Sequence, residues 1–358
     1  MKNLIKISAI AFISLLALTG CNKEETTKEG LNIITTNFVS YDAARAVVGD
    51  EANIEMLIKP GNEIHTLELS PKDITNIKKS DVFIYVGGES DEWIENIVDD
   101  IDTSKTKVIR LIDVVELKEE EIKEGMEHSH NHEHEGEHHD EDADEHHNHE
   151  GEHHDEDADE HHDHEGEHHD EDADHNEEEH EYDEHVWTSP VNYIKIVNEV
   201  SETIISVDEK NENKYEKNTE KYVNELKKID NDFEEIVENS ENKTLIFGDR
   251  FPFRYFVEEY DLDYYAAFPG CSADTEASAS TIAFLIDKIN ETKTKYILTI
   301  ELSSEKIANT IREETGVEII TFNAGHNMSK EDFEEGTTMV DIMKSNVKVL
   351  DKVLNETN

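Results

Sequence analysis

The sequence predicts an α/β protein of two parallel-sheet βαβ lobes bridged by a long helix. Three observations predict it. Short apolar runs alternate with helix-length stretches before residue 126 and again after residue 240, which is the pattern of βαβ units. A histidine-rich, acidic stretch separates the two series. Between that stretch and the second series, 211–238 repeats apolar residues mostly every three or four positions, at Tyr215, Tyr222, Val223, Leu226, Ile229, Phe233 and Ile236. That spacing is helical.

In the first series, 31–35 reads as a strand, 41–48 as a helix and 54–58 as a strand. A helix over 71–79 opens from Ser70, a good N-cap residue. A buried strand over 81–86 ends in Gly87-Gly88, a helix covers 93–101, and 107–111 is the next strand. In the second series, Ser189-Pro190 starts a helix over 191–205, with proline at the first helical position. Strands come next at 243–247, 264–268, 296–300 and 317–322, separated by helices at 252–260, 275–289 and 305–315. A last helix over 330–354 starts from Ser329, with Asp332 three residues on in a capping-box-like arrangement.

Charge narrows the function. The 358 residues hold 88 acids, 33 Lys plus Arg and 21 His, a formal charge of -55. So acidic a surface repels phosphate backbones, which argues against nucleic-acid binding and suits divalent cations. Of the acids, 29 fall between residues 127 and 184, where there is no Lys or Arg, and 18 histidines lie between His128 and His180. With so little apolar content to offset the ordering entropy, this stretch is expected to be disordered without metal.

Its core is a 15-residue repeat: HEGEHHDEDADEHHN from His134 is followed by HEGEHHDEDADEHHD from His149 and a third, degrading copy from His164. No copy has an apolar face to stack, so it is not a solenoid. HEGEH matches the zinc-protease pattern H-E-x-x-H at His134, Glu135 and His138. That chemistry needs both imidazoles on one buried helix face, which a glycine among charges does not provide. The histidines, with His138, His139, His153, His154, His168 and His169 as representatives, are instead expected to capture transition metals in weak, exchangeable modes that fade as pH falls through the histidine range near ~6.5.

The N-terminus reads as a targeting signal. Lys2 and Lys6 precede an apolar stretch over 7–18, and Leu18-Thr19-Gly20-Cys21 resembles a bacterial lipobox in which Cys21 becomes the lipid-modified N-terminus. Cys271 then has no partner for a disulfide.

Three histidines lie outside the repeat region: His65, His185 and His326. His65 and His326 fall in loops that come after strands, where open α/β sheets bind ligands. His185 lies where the acidic stretch rejoins the fold, two residues after Asp183, a partner for an imidazole N–H.

Here the chain resembles the metal-ion solute-binding proteins of ABC transporters, specifically the zinc-uptake branch. The resemblance rests on Lys59-Pro60-Gly61-Asn62-Glu63-Ile64-His65, on Ser70-Pro71-Lys72-Asp73, on DVFIYVGGESDEW over 81–93 and on Asp183-Glu184-His185-Val186-Trp187-Thr188-Ser189-Pro190. It implies two α/β lobes joined by a rigid helix, a metal site in the interlobe cleft, and ligand histidines at His65 and His185, supported by Glu63 and Asp183. A third family histidine is replaced by Arg250, within Gly248-Asp249-Arg250-Phe251-Pro252. An arginine, always protonated, cannot ligate a cation. The resemblance therefore points to His326 for the missing imidazole, with Asp249 and Glu301 as oxygen candidates. The resemblance also implies a cysteine that often stands in place of Gly325 in related chains, a partner for the position of Cys271; that bridge cannot form here.

Three imidazoles with a carboxylate or water favour Zn²⁺, whereas a manganese site is expected to use more carboxylates. The expected organisation is a signal peptide (1–20), a tether from the lipidated cysteine (21–30), a first lobe (31–126), a disordered loop (127–184), a helical region with the linker helix (185–240) and a second lobe (241–358). The expected function is a non-enzymatic, monomeric, lipid-anchored extracytoplasmic protein that captures zinc and delivers it to an ABC permease with a cytoplasmic ATPase. The alternatives are a manganese or iron carrier on the same scaffold, a surface metal buffer or adhesin, and a zinc hydrolase.

Overall fold

Among the described residues, eight strands form two four-stranded sheets of the same connectivity. The computed structural model describes residues 30–62, 69–88, 91–126, 181–270, 272 and 276–356; the signal region, the repeats, His65 with Glu63, and Cys271 lie outside these. In the first lobe, strands β1 (Leu31–Thr35), β2 (Ala52–Met56), β3 (Val82–Tyr85) and β4 (Lys107–Arg110) line up as β2-β1-β3-β4, all parallel. β3 is buried along its whole length, which explains its unbroken apolar run: a central parallel strand has helices on both faces. Helices α1 (Phe38–Val48), α2 (Pro71–Ile77) and α3 (Glu92–Val98) supply those faces. α1 is capped by the Asn37 side chain, which accepts from Ser40 N, and α2 by a Ser70–Asp73 capping box with Pro71 behind it.

The second lobe repeats the order with β5 (Thr244–Phe251), β6 (Asp263–Pro269), β7 (Tyr296–Thr299) and β8 (Glu318–Thr321), as β6-β5-β7-β8. Two long helices lie between the sheets in sequence: α4 (Pro190–Val207) and α5 (Glu212–Glu238). α5 buries Tyr215, Thr219, Val223, Leu226, Ile229, Phe233 and Val237, one stripe at steps of three and four. That stripe packs on α1 and α4 and on the last helix. The large apolar core runs unbroken from Ile33 and Val82 of the first sheet through Ile196, Leu226 and Phe233 to Phe247 and Leu298 of the second. A shared close-packed core resists independent lobe movement.

The remaining helices are α6 (Arg254–Glu259), α7 (Ala279–Thr292), α8 (Lys306–Thr315), α9 (Lys330–Glu335) and α10 (Met339–Asn355). α9 and α10 correct the single helix expected over 330–354. Gly336 takes a left-handed φ of 82° and ends α9, and a second capping box, Thr338 with Asp341, starts α10. Both stop and start signals outweigh a hydrophobic spacing that continues through the break. A second correction concerns the acidic loop expected over 127–184. Its last residues, 181–184, belong to the fold: Glu119 and Tyr182 form an antiparallel bridge, and Asp183 and Glu184 are buried. Among the described residues, no helix is long and apolar enough to cross a membrane.

Candidate metal centre

In each sheet the strand order changes direction once, between β1 and β3 in the first and between β5 and β7 in the second. These are the switch points at which parallel sheets bind ligands. Three potential ligands gather at the carboxyl ends of strands, beside Gly88 just past β3, beside Gly270 just past β6 and in the loop after β8: Glu184, His185 and His326, whose ligand atoms all lie within 4.8 Å of one another. Ligands around a tetrahedral Zn²⁺ sit roughly 3.3–3.5 Å apart, given Zn–N and Zn–O bonds of about 2.0–2.2 Å. Small rotamer adjustments would close that gap.

His185 is fully buried and oriented by one carboxylate. Asp183 Oδ1 accepts from His185 backbone N at 2.7 Å and lies 3.1 Å from its Nδ1. With Nδ1–H donating to Asp183, the Nε2 lone pair is left for another group, and Nε2 is buried with no hydrogen-bond partner. This fits a metal ligand held by a supporting carboxylate. Burial opposes charge on the ring, but the charge and hydrogen bond of Asp183, helped by Glu184 and Glu120, outweigh it and hold His185 above the ordinary histidine value.

Glu184 lies against the first lobe. A Cβ at Gly88, which has φ of 89°, would sit 2.7 Å from Glu184 Oε2 and 2.9 Å from its Cβ. Only glycine allows both the backbone angle and the approach. Next to it, Asp91 accepts from Val86 N at 2.9 Å and Gly87 N at 3.0 Å, closing the turn after β3. Burial, with the nearby Glu184 adding to it, pushes the Asp91 carboxyl up to about 7 against the pull of those two amides.

His326 is presented by the loop after β8. Its ring stands edge-on to His185, with centroids 5.1 Å apart, and Trp187 packs near both, at 5.3 Å from His185 and 5.7 Å from His326. The Trp187 indole donates to Ala324 O at 2.8 Å, tying the segments of His185 and His326 together.

The oxygen candidates fare differently. Glu301 is committed to the loop that carries His326: its oxygens accept from Ala324 N at 2.7 Å and Asn327 N at 3.0 Å. Burial raises its pKa, with amides of Asn327, Ala324 and His326 partly offsetting. Asp249 accepts from Arg250 N at 2.9 Å and Ile300 N at 3.4 Å, holding the ends of β5 and β7. Neither is in the group of three, and Arg250 donates to Ser272 O at 3.4 Å. The carboxylate that does join the group, Glu184, has no distinguishing signal in the sequence, because its neighbour Asp183 fills the acid role beside His185. Asn62, three residues before His65, accepts from Asn327 Nδ2 at 2.8 Å, and Gly61 N donates to Asn327 Oδ1 at 3.3 Å. His65 itself lies outside the described residues.

A family model described as "ZnuA: Zinc-uptake complex component A periplasmic" matches residues 33–353. The chain belongs to the ZnuA family. Among this family's curated members, the zinc-binding lipoprotein AdcA of Streptococcus pneumoniae is 28% identical over 353 residues, 98% of this chain and 61% of that protein. The chain thus spans about 61% of the length of that relative. The high-affinity zinc uptake system protein ZnuA of Bacillus subtilis is 28% identical over 320 residues, 89% of this chain and 86% of that one. The crystal structure of the Zn(II)-bound ZnuA-like domain of Streptococcus pneumoniae AdcA superposes with a TM-score of 0.65 at 25% identity, covering 91% of this chain and 99% of that domain. The metal-dependent lipoprotein YcdH of Bacillus subtilis gives 0.66 at 25% identity, covering 90% and 99%. Both likenesses support the ZnuA-type arrangement of two parallel-sheet lobes.

Proposed function

We propose that this protein captures Zn²⁺ outside the cytoplasm and delivers it to an ABC permease driven by a cytoplasmic ATPase. The observation that carries the reading is the buried, unpartnered Nε2 of His185, facing a group completed by His326 and Glu184. Two imidazoles and a carboxylate form a borderline donor set that suits zinc. His65 is the proposed fourth ligand. Its support is the ligand motif around it and the anchoring of Asn62 to Asn327, beside His326. A span of three residues reaches at most ~10 Å. Zinc-binding and zinc-uptake relatives support the cargo assignment.

Capture exchanges a proton for the metal. The raised pKa of His185 means that acid competes with zinc for the ring, so affinity falls as pH drops through and below the histidine range. The shared core favours small lobe adjustments on binding over wide hinge closure. Lipid attachment at Cys21 and a monomeric state complete the proposal. The histidine repeat would hold further zinc weakly, apart from this site.

Calorimetry against a competing chelator tests this. One tight zinc site per chain is expected, retained after removal of residues 127–180 and lost by more than 100-fold, above the ~10–100-fold cost of losing a supporting partner, in His185→Ala. Tighter manganese than zinc binding, or loss of the tight site with the repeats, would overturn it.

A further inference from the structure

Between β4 and the acidic stretch the chain leaves the first sheet and lies along the second lobe. Lys118 meets Glu258 at 2.6 Å and Lys123 meets Asp263 at 2.5 Å. Tyr264 Oη donates to Glu121 Oε2 at 3.2 Å, and Met126 is buried. The returning arm, 181–185, pairs with this strap. Glu120 N donates to Glu181 O at 2.9 Å, and Asp183 N donates to Lys118 O at 2.9 Å.

The backbone pairing stops at Asp183, because the next residues turn into a short 3-10 helix, Val186–Thr188. Two polar groups are left at that end: the N–H of Lys118 and the C=O of Asp183. One side chain satisfies both. Tyr255 Oη accepts from Lys118 N at 3.1 Å and donates to Asp183 O at 2.7 Å. Tyr255 comes from α6 of the second lobe and is buried. Burial pushes its hydroxyl up to about 12, so it stays a donor across the working pH range.

Asp183 is the residue through which this bridge reaches the metal centre. Its N–H and C=O are held by the strap and by Tyr255, and its Oδ1 holds both the backbone and the ring of His185. A carboxylate fixed at its backbone fixes the imidazole it orients.

We propose that Tyr255 is a positioning residue for metal binding: its hydroxyl bridges the two arms, sets Asp183, and thereby directs Nε2 of His185 into the site. This rests on the zinc reading above. A catalytic or ligand role is not involved, since the hydroxyl is spent on two backbone groups.

The test is zinc affinity and dissociation rate in the full chain, with zinc buffered by a chelator so that the tight site alone reports. Tyr255→Phe removes the bridge and keeps the ring. It is expected to weaken zinc binding about 10–100-fold, the usual cost of losing a group that orients a ligand, with most of the change in dissociation. Tyr215→Phe is the control: it removes an equally buried hydroxyl, bonded to Asp208 at 2.7 Å on the bridging helices, and should lower stability while leaving zinc affinity within twofold. The effect should also vanish into Asp183→Asn, the double variant being no more than about twofold worse than Asp183→Asn alone.

Wild-type zinc affinity in Tyr255→Phe, an equal loss in Tyr215→Phe, or additive losses with Asp183→Asn would overturn the proposal. A measurement on the unaltered chain covers a variant that does not fold. The NMR signals of the Tyr255 ring and the His185 Nδ1 proton should shift together on zinc titration, and a Tyr255 signal indifferent to zinc would count against it. If His185→Ala leaves tight binding intact, the zinc reading has failed. If His185→Ala abolishes it and Tyr255→Phe does not, only the positioning role has failed.

Discussion

The two lobes share one strand order and differ in the path the chain takes after the fourth strand. After β8 the chain runs directly into the loop of His326, and a carboxylate of the same lobe, Glu301, holds that loop by its amides. After β4 the chain instead crosses to the other lobe, and the segment bearing Glu184 and His185 returns from there, held by Tyr255 and Asp183. One connectivity therefore delivers the candidate metal-binding segments from equivalent places, but one is braced within its lobe and the other between lobes. The centre joins the lobes because Glu184 rests on Gly88 of the first while His185 and His326 are tied to the second.

The strongest way to break this arrangement lies away from the site. Asp42 of α1 is fully buried and bonded to Arg45, to the hydroxyls of Tyr193 on α4 and Tyr222 on α5, and to the N–H of Met339 at the start of α10. It fastens the first lobe to both bridging helices and to the second lobe. Removing one member of such a buried, paired set costs about 3–5 kcal/mol. Asp42→Ala should lower unfolding stability by that amount in urea titration, and a loss below about 1 kcal/mol would show that the lobes are held by the apolar core alone.

Glu301→Gln probes the brace within the second lobe. Its NH₂ would confront backbone N–H groups that the carboxylate now accepts, at a cost of about 1–3 kcal/mol. Zinc affinity should fall as well, since the loop of His326 loosens. If Glu301 were instead a ligand, affinity would fall while stability of the zinc-free protein stayed unchanged.

Much of the fold is legible in the sequence because the central strands are buried on both faces, which leaves unbroken runs such as Val82–Tyr85. The amphipathic stripe of α5 is equally plain. The helix break at Gly336 is hidden by Phe333, Met339 and Val340, whose spacing imitates a continuous helix. His185, with Asp183 as its partner, can be found from local spacing because the carboxylate lies two residues from the ring it orients. Glu184 cannot. Which of two adjacent acids faces the imidazoles depends on the pairing of 181–183 with 118–120, a long-range contact with no local signature. The roles of Asp249 and Glu301 are hidden for the same reason: backbone amides from distant loops occupy their oxygens.

Two smaller effects sharpen the picture. A Cβ at Gly270 would lie 3.0 Å from Phe251 O, 3.2 Å from His185 Cε1 and 3.3 Å from Asp183 Oδ2. Gly270→Ala should press on the ring and its carboxylate together, costing about 1 kcal/mol of zinc binding by calorimetry; unchanged affinity would show that the turn after β6 does not confine His185. At the joint between α4 and α5, Asp208 has a lowered pKa: burial works the other way, but Tyr215, Asn211 and Lys210 outweigh it. A depressed carboxylate stabilises the fold above its unfolded pKa and loses that contribution as pH falls through the native value. The stability difference between wild type and Asp208→Asn should thus be present at neutral pH and shrink below pH ~4. A difference that persists in acid would assign it to packing.

The indole of Trp187, wedged beside both imidazoles and one of two tryptophans in the chain, makes the molecule its own optical gauge. Its emission should change when cargo arrives, and a Trp93→Phe background would isolate that signal. Loading and unloading could then be followed in real time on unlabelled protein.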